Sequence, residues 1–340
     1  MLLQALIFIV ATVAVFLSGD RLPVVGKTVA RRLGVSATSL GLFVLAVVTS
    51  LPELSVTLTA ILREQAPDLA ISNILGSNNF NITVVAVLEL AVAGRAFVRA
   101  VDARRYGRTF FLLLALTAIV GVGVLFGGRI RPSSITWIVL SVPIVLIFVA
   151  ESATGGAAPA GDGDAPPPGA STASLAIRFS LLSIVVIVAG YFMARSANAI
   201  ALHEFHTDRG AFVLGQTFMG TLVVAVATSL PEVTVAWSAL RRAASPDIAL
   251  GTLLGSNTVN IVVFAVGAPL LYARSRVSGW AVVDDLNLVN VAAGLVLTLL
   301  AFAATRSPWC RVSRRRTRIV TGAMIPIYLV GLYLVYARVL

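Results

Sequence analysis

The chain has 340 residues, 58% of them hydrophobic and only 12% charged; soluble domains carry about twice that share of charge, so this is an integral membrane protein. The formal charge of +11 does not imply nucleic acid, because the basic residues lie in short clusters between apolar runs and leave no polar domain for such a surface. A single cysteine, Cys310, excludes an intramolecular disulfide and a thiolate metal cluster.

Apolar runs near the roughly twenty residues needed to span a bilayer fall at 2–18, 37–62, 68–93, 109–127, 133–151, 174–196, 211–240, 247–272, 287–305 and 319–338. They predict an all-α fold of about ten transmembrane helices. The first run has no basic start and no small-residue cleavage site, so it is expected to be a retained helix. Residues 152–173, with Gly155-Gly156, Asp162, Asp164 and Pro166-Pro167-Pro168, read as a flexible linker between halves 1–151 and 174–340. Each half holds five runs. An odd number makes the second half enter the membrane from the opposite face, and such inverted repeats carry substrate near the midplane, where helices are broken.

Lys and Arg on alternate loops set the orientation. The loops after the first, third, fifth, seventh and ninth runs hold 18 of them and the other side 8. The richer side, with the linker, is expected to be cytoplasmic and both termini outside.

The halves share a repeated stretch. Thr49-Ser50-Leu51-Pro52-Glu53 returns 179 residues later as Thr228-Ser229-Leu230-Pro231-Glu232. At the same offset Gly41 matches Gly220, Pro67-Asp68 matches Pro246-Asp247, and Gly76-Ser77-Asn78 with Asn81 matches Gly255-Ser256-Asn257 with Asn260. One unit, containing segments 41–82 and 220–261, has been duplicated.

A carboxylate near the bilayer centre costs about 2.5–3.5 kcal/mol, so it is functional by default and calls for a partner. No Lys or Arg follows Glu53 before Arg63 or Glu232 before Arg241, which leaves a bound cation as partner. Two ionised glutamates suit one divalent ion or a pair of monovalent ones. Pro52 and Pro231 each remove a helical hydrogen bond, so carbonyls around Ala46–Val48 and Ala225–Ala227 are expected to face the ion. Thr49, Ser50, Thr228 and Ser229 stand three or four residues before the glutamates, on the same helical face. Ser77 with Asn81, and Ser256 with Asn260, also share a face. Together they make a ring of oxygens that suits a hard cation such as Ca²⁺, and no His or Cys in either repeat offers a softer site. Serine and asparagine also serve as helix-packing groups, with Gly76 and Gly255 permitting close approach; for Asn78 and Asn257 both uses stay open. Asp68 and Asp247, each after a first-turn proline, read as helix-start residues.

The paired motifs Thr-Ser-Leu-Pro-Glu and Gly-Ser-Asn-x-x-Asn, in two halves of five helices, resemble the α-repeats of the cation/calcium exchanger superfamily, in particular its sodium/calcium exchanger branch. The resemblance makes Glu53 and Glu232 the calcium-binding acids, with Thr49 and Thr228 adding oxygens. It makes Ser50, Ser77, Ser229 and Ser256, with the carbonyls of Ala46 and Ala225, the lining of sodium sites, and Asn81 and Asn260 the remaining central pair. It also implies that the helices at 2–18 and 174–196 slide to switch access. The chain departs from relatives at Val48 and Ala227, where they often have glycine, and at Asn260, where sodium/calcium exchangers commonly carry an acid.

The expected function is a secondary antiporter exchanging Ca²⁺ for Na⁺, or for H⁺ on the same fold, with the lipid bilayer as its setting and no cofactor, nucleic acid or obligate protein partner. An intramembrane enzyme using paired carboxylates lacks a nucleophile beside a base, and channels more often build pores from rings of subunits. The remaining signals are minor. His203-Glu204-Phe205-His206 reads as an outer loop, Glu89 as facing headgroups, and Asp284-Asp285 with the Arg311–Arg318 cluster as interfacial charge. The expected location is a bacterial inner membrane.

Overall fold

The structure, a computed structural model, describes residues 1–19, 21–32, 48–92, 97–127, 142–146, 171–207, 210–241, 246–275 and 283–338. Gly41, Ala46, residues 152–170 of the linker and most of the run at 133–151 lie outside them. The helices used below are α1 (Leu2–Gly19), α2 (Leu51–Leu62), α3 (Pro67–Ala91), α4 (Ala103–Gly127), α5 (Thr172–Ala201), α6 (Ala225–Arg241), α7 (Pro246–Ser275), α8 (Asn287–Arg306), α9 (Arg314–Gly322) and α10 (Met324–Ala337). Among the described residues seven stretches are long and apolar enough to cross a membrane, in agreement with an all-α membrane fold. The run at 247–272 lies within α7, whose 30 residues reach about 45 Å.

Burial is inverted relative to a water-soluble protein. On α1, Leu2, Leu3, Leu6, Ile9, Val10, Val13 and Leu17 are exposed, while Ser72, Asn73, Ser77, Asn78, Asn79 and Asn81 of α3 are buried. Water would penalise that outer surface; hydrocarbon does not. Twenty of the 25 residues of α3 are buried, which makes it the helix around which the others assemble. One apolar cluster joins α3, α4, α7 and α8 through residues such as Leu75, Phe110, Leu254 and Leu297. A second joins Phe8, Ala11 and Val15 of α1 to Ala189, Met193, Ala194 and Ala197 of α5 and to Val56 and Ala60 of α2.

Two aspartates fix the ends of the motif helices. Pro67 opens α3 in the first turn, where its missing N–H costs nothing. Asp68 Oδ1 then accepts the Asp284 N–H at 2.7 Å and Asn287 Nδ2 at 3.2 Å. Asp247, at the start of α7, accepts the Asp102 N–H at 3.3 Å. Each acid clasps the other half of the chain, so both are structural, as their helix-start position predicts.

Three expectations are corrected. Residues Glu204–Thr207 and Gly210–Val213 form an antiparallel hairpin with Phe205 opposite Phe212, their rings stacked at 5.5 Å. The helical run expected to start at 211 therefore begins at Gln216. Glu89 does not face headgroups: it is fully buried, and its Oε2 accepts the Val98 N–H at 2.9 Å, holding the short helix Phe97–Ala100 by its amino end. The linker also ends earlier than expected, because Ser171 caps α5 by accepting from the Ser174 N–H at 3.1 Å.

The basic cluster is tied to helix ends. Arg311 donates to Thr305 O at 3.1 Å and Arg314 to Val92 O at 2.9 Å, a favourable place for a cation. Cys310 is buried, and burial pushes its thiol up. It is a packing residue.

One close crossing positions the site. The backbone of α3 meets a π-helical turn, Met219–Val224, that leads into α6. A Cβ on Gly76 would lie 2.5 Å from Thr221 O and 2.7 Å from its Cα, and one on Gly220 would meet Ser72 Oγ and stand 2.9 Å from Leu69 O. The obstacles include backbone, so they cannot rotate away. Gly76→Ala or Gly220→Ala is expected to cost about 1–3 kcal/mol through overpacking, read as a lower thermal midpoint of the detergent-solubilised protein.

Candidate functional site

The same five letters adopt two backbones. In the first copy the chain turns at Ser50 (φ −89°, ψ 13°) and α2 starts at Leu51, so Pro52 occupies a first turn and removes no internal bond. In the second copy α6 runs through Thr228–Glu232 with Pro231 inside it, and the irregular turn lies upstream at Met219–Val224. A kink of the same kind in both copies was the expectation. The upstream turn of the second copy is held from outside its own helix. Asn290 of α8 donates to Thr221 Oγ1 at 2.7 Å, and Asn79 of α3 donates to Asn290 O at 3.0 Å. A π turn commonly marks a functional segment of a helix.

These backbones bring the two copies together. Glu53 and Glu232 are both fully buried. Ser229 Oγ donates to Glu53 Oε1 at 3.3 Å and Ser256 Oγ to Glu232 Oε1 at 3.0 Å. Ser50 Oγ stands 3.2 Å from Ser256 Oγ, which links the first copy to the second. Ser77 Oγ lies 3.4 Å from Thr228 Oγ1 and 3.4 Å from Ala225 O, and Thr228 also reaches Ala225 O at 3.3 Å. The Ala225 carbonyl thus faces the site, within reach of both hydroxyls. Thr49 is buried at the turn before α2. Ala46 is outside the described residues.

Two further polar side chains belong to this network. Thr228 Oγ1 reaches Asn73 Oδ1 at 3.4 Å, and Asn73 Nδ2 donates to Thr57 Oγ1 at 3.3 Å. Neither is in the repeat, since the chain has Thr252 and Ala236 at the corresponding offset. The signal for Asn73 is its spacing: Asn73, Ser77 and Asn81 follow at intervals of four and form one stripe on α3. Thr57 gives no such signal.

The asparagines form a separate layer. Asn78 Nδ2 donates to Asn257 O at 3.1 Å and Asn257 Nδ2 to Asn78 O at 3.0 Å. Asn81 Nδ2 donates to Asn257 Oδ1 at 2.9 Å, and Asn260 Nδ2 to Asn78 Oδ1 at 3.1 Å. What remains is a set of oxygens: Glu53 Oε2, Glu232 Oε2, Asn81 Oδ1 and Asn260 Oδ1 are buried without a hydrogen-bond donor among the described residues. Buried acceptors are almost always satisfied, and an ionised carboxylate held away from water is more costly still. Two of these four oxygens come from each copy of the motif. Oxygens of this kind suit a cation, and oxygen donors select a hard one. Among the described residues no cluster of three or more His, Cys, Asp or Glu offers another metal site.

The chain is 29% identical to the inner membrane protein YrbG of Escherichia coli (strain K12) over 318 residues, 91% of each chain. The crystal structure of the H⁺/Ca²⁺ exchanger CAX matches with a TM-score of 0.72 at 14% identity, covering 98% of this chain and 85% of that one. The sodium-calcium exchanger NCX_Mj matches with a TM-score of 0.57 at 20% identity over 98% of both chains. At these identities the two structures establish the fold. The family model for sodium/calcium exchanger proteins matches residues 3–150 and 174–339, nearly the whole chain, and the protein therefore belongs to that family of membrane exchangers.

Proposed function

We propose that the protein is a secondary antiporter that moves Ca²⁺ against a monovalent cation by alternating access. The observation that carries this reading is the set of four buried, donor-free oxygens on Glu53, Glu232, Asn81 and Asn260. In this reading the two glutamates bind Ca²⁺, Asn81 and Asn260 complete the central pair, and Thr49 and Thr228 add oxygens. Ser50, Ser77, Ser229 and Ser256, with the carbonyls of Ala46 and Ala225, bind the monovalent ions that replace Ca²⁺.

Coupling follows from electrostatic cost. A site emptied of cations leaves two uncompensated carboxylates in a low-dielectric interior, a penalty of several kcal/mol per ion. Only the loaded site crosses the occluded state, so one ion leaves when another has arrived. The proposed moving part is the pair α1 and α5, which meet through small side chains such as Ala11, Ala189, Ala194 and Ala197 and present apolar faces outward. The two halves would work as inverted repeats around the site, joined by a cytoplasmic linker that begins near 152 and ends at Ser171, with both termini outside. The inner-membrane relative supports a bacterial inner membrane as the location.

Sodium is the first counter-ion in this reading, because hydroxyls and carbonyls flank the carboxylates as they would around Na⁺. Protons are the second, favoured by Asn260: with an amide there the site holds two acids, and two protons neutralise it. Vesicles containing the purified protein distinguish them. ⁴⁵Ca²⁺ uptake is expected to rise at least about tenfold over protein-free vesicles under an outward Na⁺ gradient. Uptake driven by an outward H⁺ gradient alone would transfer the assignment to protons, and uptake that ignores both gradients would overturn the antiporter.

A further inference from the structure

We infer that Asn78 and Asn257 are positioning residues for the ion site, and that they act crosswise: Asn78 aims the side-chain oxygen of Asn260, and Asn257 aims that of Asn81. The inference rests on the cation site proposed above. It starts from two main-chain carbonyls. Asn78 Nδ2 donates to the backbone oxygen of Asn257 at 3.1 Å, and Asn257 Nδ2 to that of Asn78 at 3.0 Å. A carbonyl only accepts, so each of these amides must turn its nitrogen to the partner backbone and its oxygen away from it. Those two oxygens then require donors. Asn81 supplies one with its Nδ2 at 2.9 Å from Asn257 Oδ1, and Asn260 the other at 3.1 Å from Asn78 Oδ1.

An amide whose nitrogen is engaged presents its oxygen on the opposite side. Asn81 Oδ1 and Asn260 Oδ1 are both buried and meet no donor. All four asparagines are buried, at 6% exposure for Asn78 and 0% for the other three, so water does not compete for these bonds. Helix packing alone accounts for the reciprocal Asn78–Asn257 contact. It does not account for both remaining oxygens being spent on the asparagine that stands three residues further along the opposite helix. If the lock is released, either amide can rotate by half a turn and set an N–H₂ against the cation where an oxygen stood. A carboxylate has two equivalent acceptors and needs no such lock. A site built with amides at 81 and 260 needs one.

This distinction supplies the test. Equilibrium ⁴⁵Ca²⁺ binding to the detergent-solubilised full chain is measured for Asn78→Leu and Asn257→Leu, alone and combined with Asn260→Asp or Asn81→Asp. Each leucine variant is expected to lose about tenfold in Ca²⁺ affinity, the usual order for removing a group that orients a metal ligand. Relative to the matching aspartate single variant, Asn78→Leu is expected to have little effect in the Asn260→Asp background and its full effect in the Asn81→Asp background. The reverse holds for Asn257→Leu. A merely structural role would show the same loss in every background, and that result would overturn the inference, as would leucine variants that bind like the native chain. Alanine at 78 or 257 replaces leucine if size-exclusion profiles show a variant to be misfolded. Failure of the underlying site is seen separately, as native protein that binds no Ca²⁺ or as binding that survives Glu53→Gln and Glu232→Gln.

Discussion

Replacing either Glu53 or Glu232 by glutamine is expected to lower Ca²⁺ affinity by at least about a hundredfold and to abolish exchange. Glutamine has nearly the same shape. It retains an oxygen to accept from Ser229 at position 53, or from Ser256 at position 232, at the distances of 3.3 and 3.0 Å now seen. The fold should therefore survive, and the change falls on the second carboxylate oxygen, which has no donor in either residue. There an N–H₂ replaces an anionic acceptor and points at the cation. Removing one member of a buried charged pair costs about 3–5 kcal/mol, which is more than two factors of ten. Because the two glutamates occupy corresponding places in the two copies, the two losses should be similar. ⁴⁵Ca²⁺ binding and vesicle uptake measure both quantities. A variant at either position that transports at the native rate would remove the glutamate from the site.

How much of this was legible in the sequence depends on what each feature needs. Pro52 and Glu53 recur at 231 and 232 inside apolar runs, so a local pattern alone reveals a duplicated, charged membrane motif. Ser77 and Asn81, like Ser256 and Asn260, are four apart, and helical spacing puts them on one face. The break at Ser50 and the continuous helix through Pro231 were not legible, because identical letters take different backbones in the two copies. The π turn depends on Thr221 meeting Asn290 of α8, a contact across 69 residues. Glu89 misled for a related reason. Its place late in a helix suggested a headgroup, but the chain returns to offer the Val98 N–H as its partner. The hairpin of Glu204–Thr207 and Gly210–Val213 was hidden by Ala211, Phe212 and Val213, whose apolar character extends the helical run that follows. Asn78 and Asn257 could be read only as packing groups or ligands, since the crossed pattern of their bonds exists between helices and not along one.

Native exchange is expected to be electroneutral, and Asn260→Asp to make it electrogenic. The argument is a count of charge: Ca²⁺ crosses singly, and the monovalent load that replaces it matches the number of ionised acids in the site. With amides at 81 and 260, Glu53 and Glu232 carry the full negative charge of two. One Ca²⁺ balances it, and so do two Na⁺ or two H⁺, so a complete cycle moves no net charge. An ionised aspartate at 260 raises the demand to three monovalent cations on the return leg. Each Ca²⁺ taken up then sends one positive charge outward. Uptake into vesicles should accordingly be favoured by an inside-positive potential and opposed by an inside-negative one. One net charge is worth about 2.3 kcal/mol per 100 mV, or roughly fiftyfold in the steady-state Ca²⁺ ratio. The measurement uses vesicles whose potential is clamped with a K⁺ gradient and valinomycin, under a fixed Na⁺ or H⁺ gradient. The native protein should give the same ratio at both polarities, and the variant should not. A native ratio that shifts with potential as strongly as the variant's would mean that a third monovalent cation is already bound, and that two glutamates are not the whole charge of the site.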